Sequence, residues 1–320
     1  MKRLLLSISL LSLIISPTFS QRSFEVGVAA GITNYFGDLG NESSIFQTTS
    51  TQPGVAVTFR NFLGSSAYSG NLYRPLSAEV RLSWNRLQYD ETKPIGNQEG
   101  WELRNYGRGI GFRNDLFGLA THVTYTLYTN PRLPLYKQHA AFFVFTGVGV
   151  YYGQPKADLF RGEVSLDNKY YFWNDGTVRD APYNGPGSAG NIIEKDGEYE
   201  TNLADWYTEG KDYQGESGSK SVYNFINVGI PMGIGVRYGV SKKITISSEF
   251  GYYMFFTDFI DDVSDAYPTH SEINSNFPND PEMQALALYI SDPTGFGNTG
   301  YPGPATSPRG NPGKKTLIVS

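Results

Sequence analysis

The chain has 320 residues with 36 Gly, 23 Tyr, 20 Phe and 4 Trp, only 18% charged residues, and a net charge of −5. It has no cysteine, which excludes disulfide scaffolds, Cys-ligated metals, thiol nucleophiles and a lipoprotein anchor. The acidic balance without any Lys/Arg block argues against a nucleic-acid partner, and the Gly- and Tyr-rich composition argues against a helical bundle.

Residues 1–20 read as a signal peptide. Met1-Lys2-Arg3 is a charged start, Leu4 to Ser16 is apolar, and Thr18 and Ser20 are small residues suited to cleavage before Gln21. The apolar stretch is shorter than the about 20 residues a spanning helix needs. No later stretch is long and apolar enough either, so any membrane crossing falls to strands. The remainder, 21–320, is expected to be one β-barrel domain.

The next segments alternate with period 2, the signature of strands with two unlike faces. Phe24, Val26, Val28, Ala30 and Ile32 interleave with Glu25, Gly27 and Gly31. Val55, Val57 and Phe59 interleave with Thr58 and Arg60, and Leu76 to Trp84 with Glu79, Arg81 and Ser83. Phe117 to Leu127 carries His122, Thr124 and Thr126 on its second face. Phe142 to Tyr152 is apolar on both faces before Gly147 and Gly149 take over one of them. Ile226 to Val240 is apolar at even positions and mostly Gly at odd ones, apart from Asn227, Pro231 and Arg237. The polar turn Ser241-Lys242-Lys243 then leads into Ile244 to Phe256 with Glu249 on the other face, which reads as a hairpin.

A soluble β-sandwich also alternates, but three features favour a membrane barrel. The segments run roughly 9–15 residues, near or above the length that crosses a bilayer. Aromatics (Trp84, Tyr125, Tyr238, Tyr252) lie toward the ends of the apolar face. Long and short connections alternate, with the longest at 154–222 and 257–312. The expected fold is therefore all-β: a transmembrane antiparallel barrel of about eight strands, with seven full strands, a C-terminal stub and two long extracellular loops. Its inward positions would include Glu25, Arg60, Glu79, Arg81, His122, Arg237 and Glu249, three acids, three arginines and a histidine able to neutralise one another.

Catalytic signals are weak. The histidines His122, His139 and His270 lie in no metalloprotease pattern, and neither a nucleophile elbow nor a phosphate-binding loop occurs. The aspartates of 257–265 lack the glycine and terminal glutamate of an EF-hand and read as caps and turn formers. No enzyme activity, metal or cofactor is expected. Asp280-Pro281 ahead of Met283 to Leu288 predicts a short capped helix.

Four strings in order carry a resemblance: Asn34 to Leu39 (NYFGDL), Phe112 to Phe117 (FRNDLF), Thr257 to Ser264 (TDFIDDVS) with Tyr267-Pro268, and Arg309 to Pro312 (RGNP). Together they resemble the PorG-like outer-membrane barrels of Bacteroidota associated with the type IX secretion system. The resemblance implies a structural rather than enzymatic component, embedded in outer-membrane lipid and anchored toward a periplasmic ring formed by a lipoprotein and its ring partner. The positions it singles out as structural are Asp38, Arg113, Asp115, Asp258, Asp261, Asp262 and Arg309. A small outer-membrane porin or transport barrel is the alternative. In the family a complete strand follows the last string. Here 313–320 offers about half a crossing strand without a terminal aromatic, so the expectation is truncation or frameshift, with an atypical closure as the alternative.

Overall fold

The computed structural model describes residues 24–37, 39, 50–63, 75–92, 101–128, 137, 140–173, 175–208, 225–257, 260–263, 267, 270–295 and 317–319. The expected signal peptide over 1–20 and the positions Asp38, Asp258 and Arg309 lie outside them.

The first long strands are β1 (Phe24–Phe36), β2 (Gln52–Phe62) and β3 (Leu76–Asp90). A helix, α1 (Trp101–Arg108), precedes β4 (Gly111–Tyr128) and β5 (Ala141–Tyr152). Four two-residue strands follow: β6 (Lys156–Ala157), β7 (Tyr171–Phe172), β8 (Val178–Arg179) and β9 (Thr201–Asn202). The chain then forms β10 (Ile226–Gly239) and β11 (Thr245–Phe255), the helices α2 (His270–Asn276) and α3 (Pro281–Ser291), and β12 (Leu317–Val319). The architecture is all-β and antiparallel, and no described helix is long and apolar enough to cross a membrane.

Each long strand pairs with its chain neighbour among the long strands. β3 pairs with β4 from Leu76–Tyr125 to Asp90–Gly111, β10 joins β5 to β11, and β12 pairs with both β11 and β1. The pairings thus return to their starting strand. β12 reaches only Asn34–Phe36 and Tyr252–Met254. Beyond it, no pairing between β1 and β11 is present among the described residues.

The alternation sorts the faces as read from sequence. Val26, Val28, Val57, Leu82, Leu119, Val123, Val144 and Ile234 are exposed, while Arg60, Glu79, Arg81, His122, Phe143, Phe145 and Arg237 are buried. The inward glycines of β10 have a packing reason. A Cβ on Gly233 would lie 2.3 Å from the Phe250 carbonyl and 2.6 Å from the Phe145 ring, and one on Gly235 2.3 Å from the Phe143 ring. Small residues on β10 therefore leave room for the large inward aromatics of β5. Pro231, which has no N–H to donate, marks a gap in the β5–β10 ladder. Pairing stops at Gly229–Gly149 and resumes in the same register at Met232–Thr146. The predicted hairpin turn forms at 241–243, with Val240 N and Ser241 N donating to Ile244 O at 3.0 and 3.1 Å.

The main apolar core lies where one set of strand ends meets the long loops. Leu87, Phe112, Leu116, Tyr151, Phe255 and Ile318 from the strands pack with Leu159, Phe160, Leu203, Ile260, Leu286 and Ile290 from the loops. The predicted short helix is present as α3, where Asp280 accepts from Met283 N at 3.1 Å and Leu286, Ala287 and Ile290 face the core. Helices α1 and α2 have no counterpart in the sequence reading. α1 ends at Gly109, whose φ of +60° favours glycine and whose N–H reaches Asn105 O at 2.9 Å.

Candidate functional site

The inward charges other than Arg237 form one network. Register sets Glu25 opposite Arg60, Arg60 opposite Glu79, and Glu79 opposite His122, so one rung crosses β1 to β4. Arg60 bonds Glu79 Oε2 through Nε (3.0 Å) and Nη2 (2.5 Å), and Glu25 through Nη1 (3.1 Å). Arg81 bonds Glu79 Oε1 through Nε (3.1 Å) and Nη2 (2.8 Å), and grips Glu249 with Nη1 and Nη2. Planar two-pronged pairing of this kind compensates much of the cost of taking these charges out of water.

His122 Nδ1 sits 3.5 Å from Glu79 Oε1, and its ring stacks on Phe145. Arg237 stands apart: it is 1% exposed, its guanidinium lies 4.6 Å from the Phe143 ring centroid, and its Nε and Nη2 have no hydrogen-bond partner among the described residues. All seven inward candidates thus occupy one interior. Phe143 and Phe145, which fill the space between the charges, were hidden in a segment apolar on both faces.

Three of the four strings that carry the resemblance converge at the opposite end. Tyr35 of the first places its hydroxyl on Asp261 of the third, and Leu39 N donates to the same hydroxyl at 3.3 Å. Tyr35 meets Phe112 of the second edge to face, 4.9 Å between centroids. Asn114 donates from Nδ2 to the Ile260 carbonyl at 2.8 Å, and Thr208 Oγ1 donates to Asp262 at 2.5 Å. Asp261 and Asp262 are both buried in this cap. Asp262 holds a φ of +63°, a conformation Asp tolerates better than most residues.

Arg113 and Asp115 face the other way. Arg113 lies 4.2 Å from the Tyr199 ring centroid. Asp115 accepts two bonds from Arg86, at 2.8 and 3.1 Å, on the half-exposed outer wall. Two register positions below, on the same face, Trp84 opposes Phe117 and the apolar band begins.

Sequence reasoning missed two further constellations. Arg108 of α1 pairs with Glu91 in a buried ion pair, Nε to Oε2 at 2.8 Å. In the 154–208 loop, one oxygen each of Asp158, Asp196 and Glu200 lie within 4.8 Å of one another. Burial pushes the Asp158 carboxyl up to about 6, with the charges of Glu200 and Asp196 adding and Lys195 and the Gly197 N–H opposing. Burial also raises Glu200, against the N–H groups of Leu159 and Phe160. The separations of 38 and 42 positions follow no ligand motif, so no local signal marks the cluster. Comparisons with protein-family models, with curated proteins and with solved structures found no match to this chain.

Proposed function

We propose that the chain is an outer-membrane β-barrel that crosses the bilayer on its strands and serves as a structural anchor in type IX protein secretion, facing a periplasmic ring of a lipoprotein and its partner. The observation that carries the membrane reading is the inverted distribution of side chains. Val28 is 84% exposed and Val123 53%, while Glu79 is 2% and Arg237 1% exposed. A water-soluble sheet buries its apolar face; a barrel in lipid turns that face outward and keeps charge within. The half-exposed Arg86–Asp115 pair above Trp84 and Phe117 fits a headgroup boundary. The long loops would then face the exterior, and the hairpin turn at 241–243 the periplasm.

The secretion role rests on the four strings, three of which converge through Tyr35, Asn114 and Asp261 into one cap. Those three strings then act as a folding unit, in keeping with a structural component. Crosslinking in the source cell should recover the lipoprotein and its ring partner, and deletion of the gene should block release of proteins bearing the type IX signal. Normal release in the deletion strain would overturn the secretion role and leave the barrel standing.

Transport is the second reading. The network of Arg60, Glu79, Arg81 and Glu249 and the aromatics Phe143 and Phe145 occupy the interior and argue against an open pore. Stable conductance in a planar bilayer would favour transport instead.

A further inference from the structure

We propose that Asp158, Asp196 and Glu200 form a calcium-binding site in the 154–208 loop. Each carboxylate is held by backbone N–H groups. Asp158 Oδ2 accepts from Gly197 N at 2.9 Å, Asp196 Oδ2 from Gly162 N at 2.9 Å and Oδ1 from Glu198 N at 3.0 Å. Glu200 Oε1 accepts from Leu159 N and Phe160 N at 3.0 Å, and from Thr201 Oγ1 at 2.8 Å.

The second oxygens are what point to a ligand. Asp158 is 5% exposed, and its Oδ1 is buried without a hydrogen-bond partner; Glu200 Oε2 is likewise buried and unpartnered. A buried carboxylate oxygen with no donor, on a side chain clustered with two other carboxylates, is unfavourable until something positive sits among them. The neighbouring ammonium, Lys195, has its Nζ on Asp90 Oδ2, 3.3 Å away. Arg113 is stacked on Tyr199.

The chemistry selects the ion. All three ligands are hard oxygens, which suit calcium or magnesium over softer-ligand metals. Two oxygens bound to one calcium at about 2.4 Å lie up to about 4.8 Å apart, so three oxygens all within 4.8 Å of one another can share one ion. Magnesium demands near-ideal octahedral geometry at about 2.1 Å, whereas calcium accepts irregular shells, which suits three carboxylates fixed by separate backbone N–H groups. Waters would complete the calcium shell. Two or three carboxylates on a surface loop suit affinities in the range of about 10⁻⁴ to 10⁻³ M, matched to extracellular calcium.

The test uses the full chain folded in detergent and stripped with a chelator, titrated with calcium by calorimetry and with terbium by luminescence. The Tyr170 hydroxyl accepts from Asp196 N at 2.8 Å, so its ring is placed to sensitise terbium. Wild-type protein is expected to show saturable binding that Asp158→Asn weakens at least tenfold, while Asp175→Asn, on a separate turn, leaves it unchanged. Asparagine keeps the shape of the side chain and the acceptor toward Gly197 N. Protease resistance of the 154–208 loop without metal reports whether each variant is folded. Calcium should raise that resistance in wild type and not in Asp158→Asn. Absence of saturable binding in wild type, or equal binding in a folded Asp158→Asn, would overturn the site. Tighter binding of magnesium than of calcium would overturn the choice of ion.

Discussion

Asn114 of β4 donates its side-chain amide to the backbone carbonyl of Ile260, 146 positions further along the chain. The bond is buried and joins the wall of strands to the loop that covers their end. Around it Tyr35 reaches Asp261 and Phe112 packs on Tyr35, so segments far apart in sequence share one core.

Asn114→Ala should loosen that cap. It removes the Ile260 carbonyl's donor in a site from which water is excluded, at a cost of about 1–3 kcal/mol. The wall beneath does not depend on this bond. Limited proteolysis should therefore cut the 257–295 region sooner, while the folded protein's gel mobility before boiling is retained. Loss of the gel shift together with the cap would mean that the two do not separate.

Glu79→Gln should be the most damaging isosteric change inside the sheet. Glu79 takes two bonds each from Arg60 and Arg81, and the amide would leave two buried guanidiniums without their shared counter-charge. Breaking a buried pair from one side costs roughly 3–5 kcal/mol. The temperature at which the compact gel band gives way to the unfolded one should fall markedly. An unchanged temperature would mean that water screens the network far more than its burial implies.

Gly235→Ala tests the packing of β5 against β10. The added methyl would lie 2.3 Å from the Phe143 ring and 2.6 Å from the Ser248 carbonyl, and the carbonyl belongs to a paired strand. Overpacking of this kind costs about 1–3 kcal/mol. The double variant Gly235→Ala/Phe143→Leu should recover part of the lost melting temperature, because the ring is the clashing partner that can be shortened.

Val123→Arg reads the outer face. Val123 sits mid-strand, opposite Ala78 and Thr146, and is exposed. In a bilayer an arginine there should cost roughly 2–4 kcal/mol, falling toward zero near the strand ends. Refolding yield into vesicles is the measurement. Equal yields for Val123→Arg and wild type would speak for water on that face.

Acid should release the turn that carries Trp173. Burial raises the Asp175 carboxyl, but hydrogen bonds from Thr177 and the Arg179 guanidinium outweigh it and hold the group below its ordinary value of 3.8. A carboxyl lowered in the folded state stabilises above its unfolded value, and that contribution is lost as pH falls through the lower folded value. Arg179 also stacks on Trp173 at 4.0 Å, so the loss reaches the indole. Tryptophan emission should change below about pH 4 in wild type. In Asp175→Asn that step should be missing.

Much of the wall was legible in the sequence because a strand's two faces must alternate whatever lies beside it. The same rule put Glu25, Arg60, Glu79, Arg81, His122, Arg237 and Glu249 on one face. It could not say that Glu25, Arg60, Glu79 and His122 share a rung, because register depends on turns and bulges that single residues do not announce. Arg237 belongs to the same face yet stacks on Phe143 rather than joining the ion pairs. The cap was the least legible part. α1 and α2 are short, and their residues carry no long apolar period. The Asp158–Asp196–Glu200 cluster exists only because loop backbone returns to the same place.

A chain of links fails at its weakest member. β12 contributes three residues to its pairings with β1 and β11, whereas β3 and β4 are joined from Leu76–Tyr125 to Asp90–Gly111. Mechanical or thermal opening of the sheet should therefore begin at β12 and run outward along β1 and β11, with the β3–β4 junction the last to part. Ile318, which packs in the cap core against the strand ends, is the latch: the wall and its cover are fastened by the same side chain.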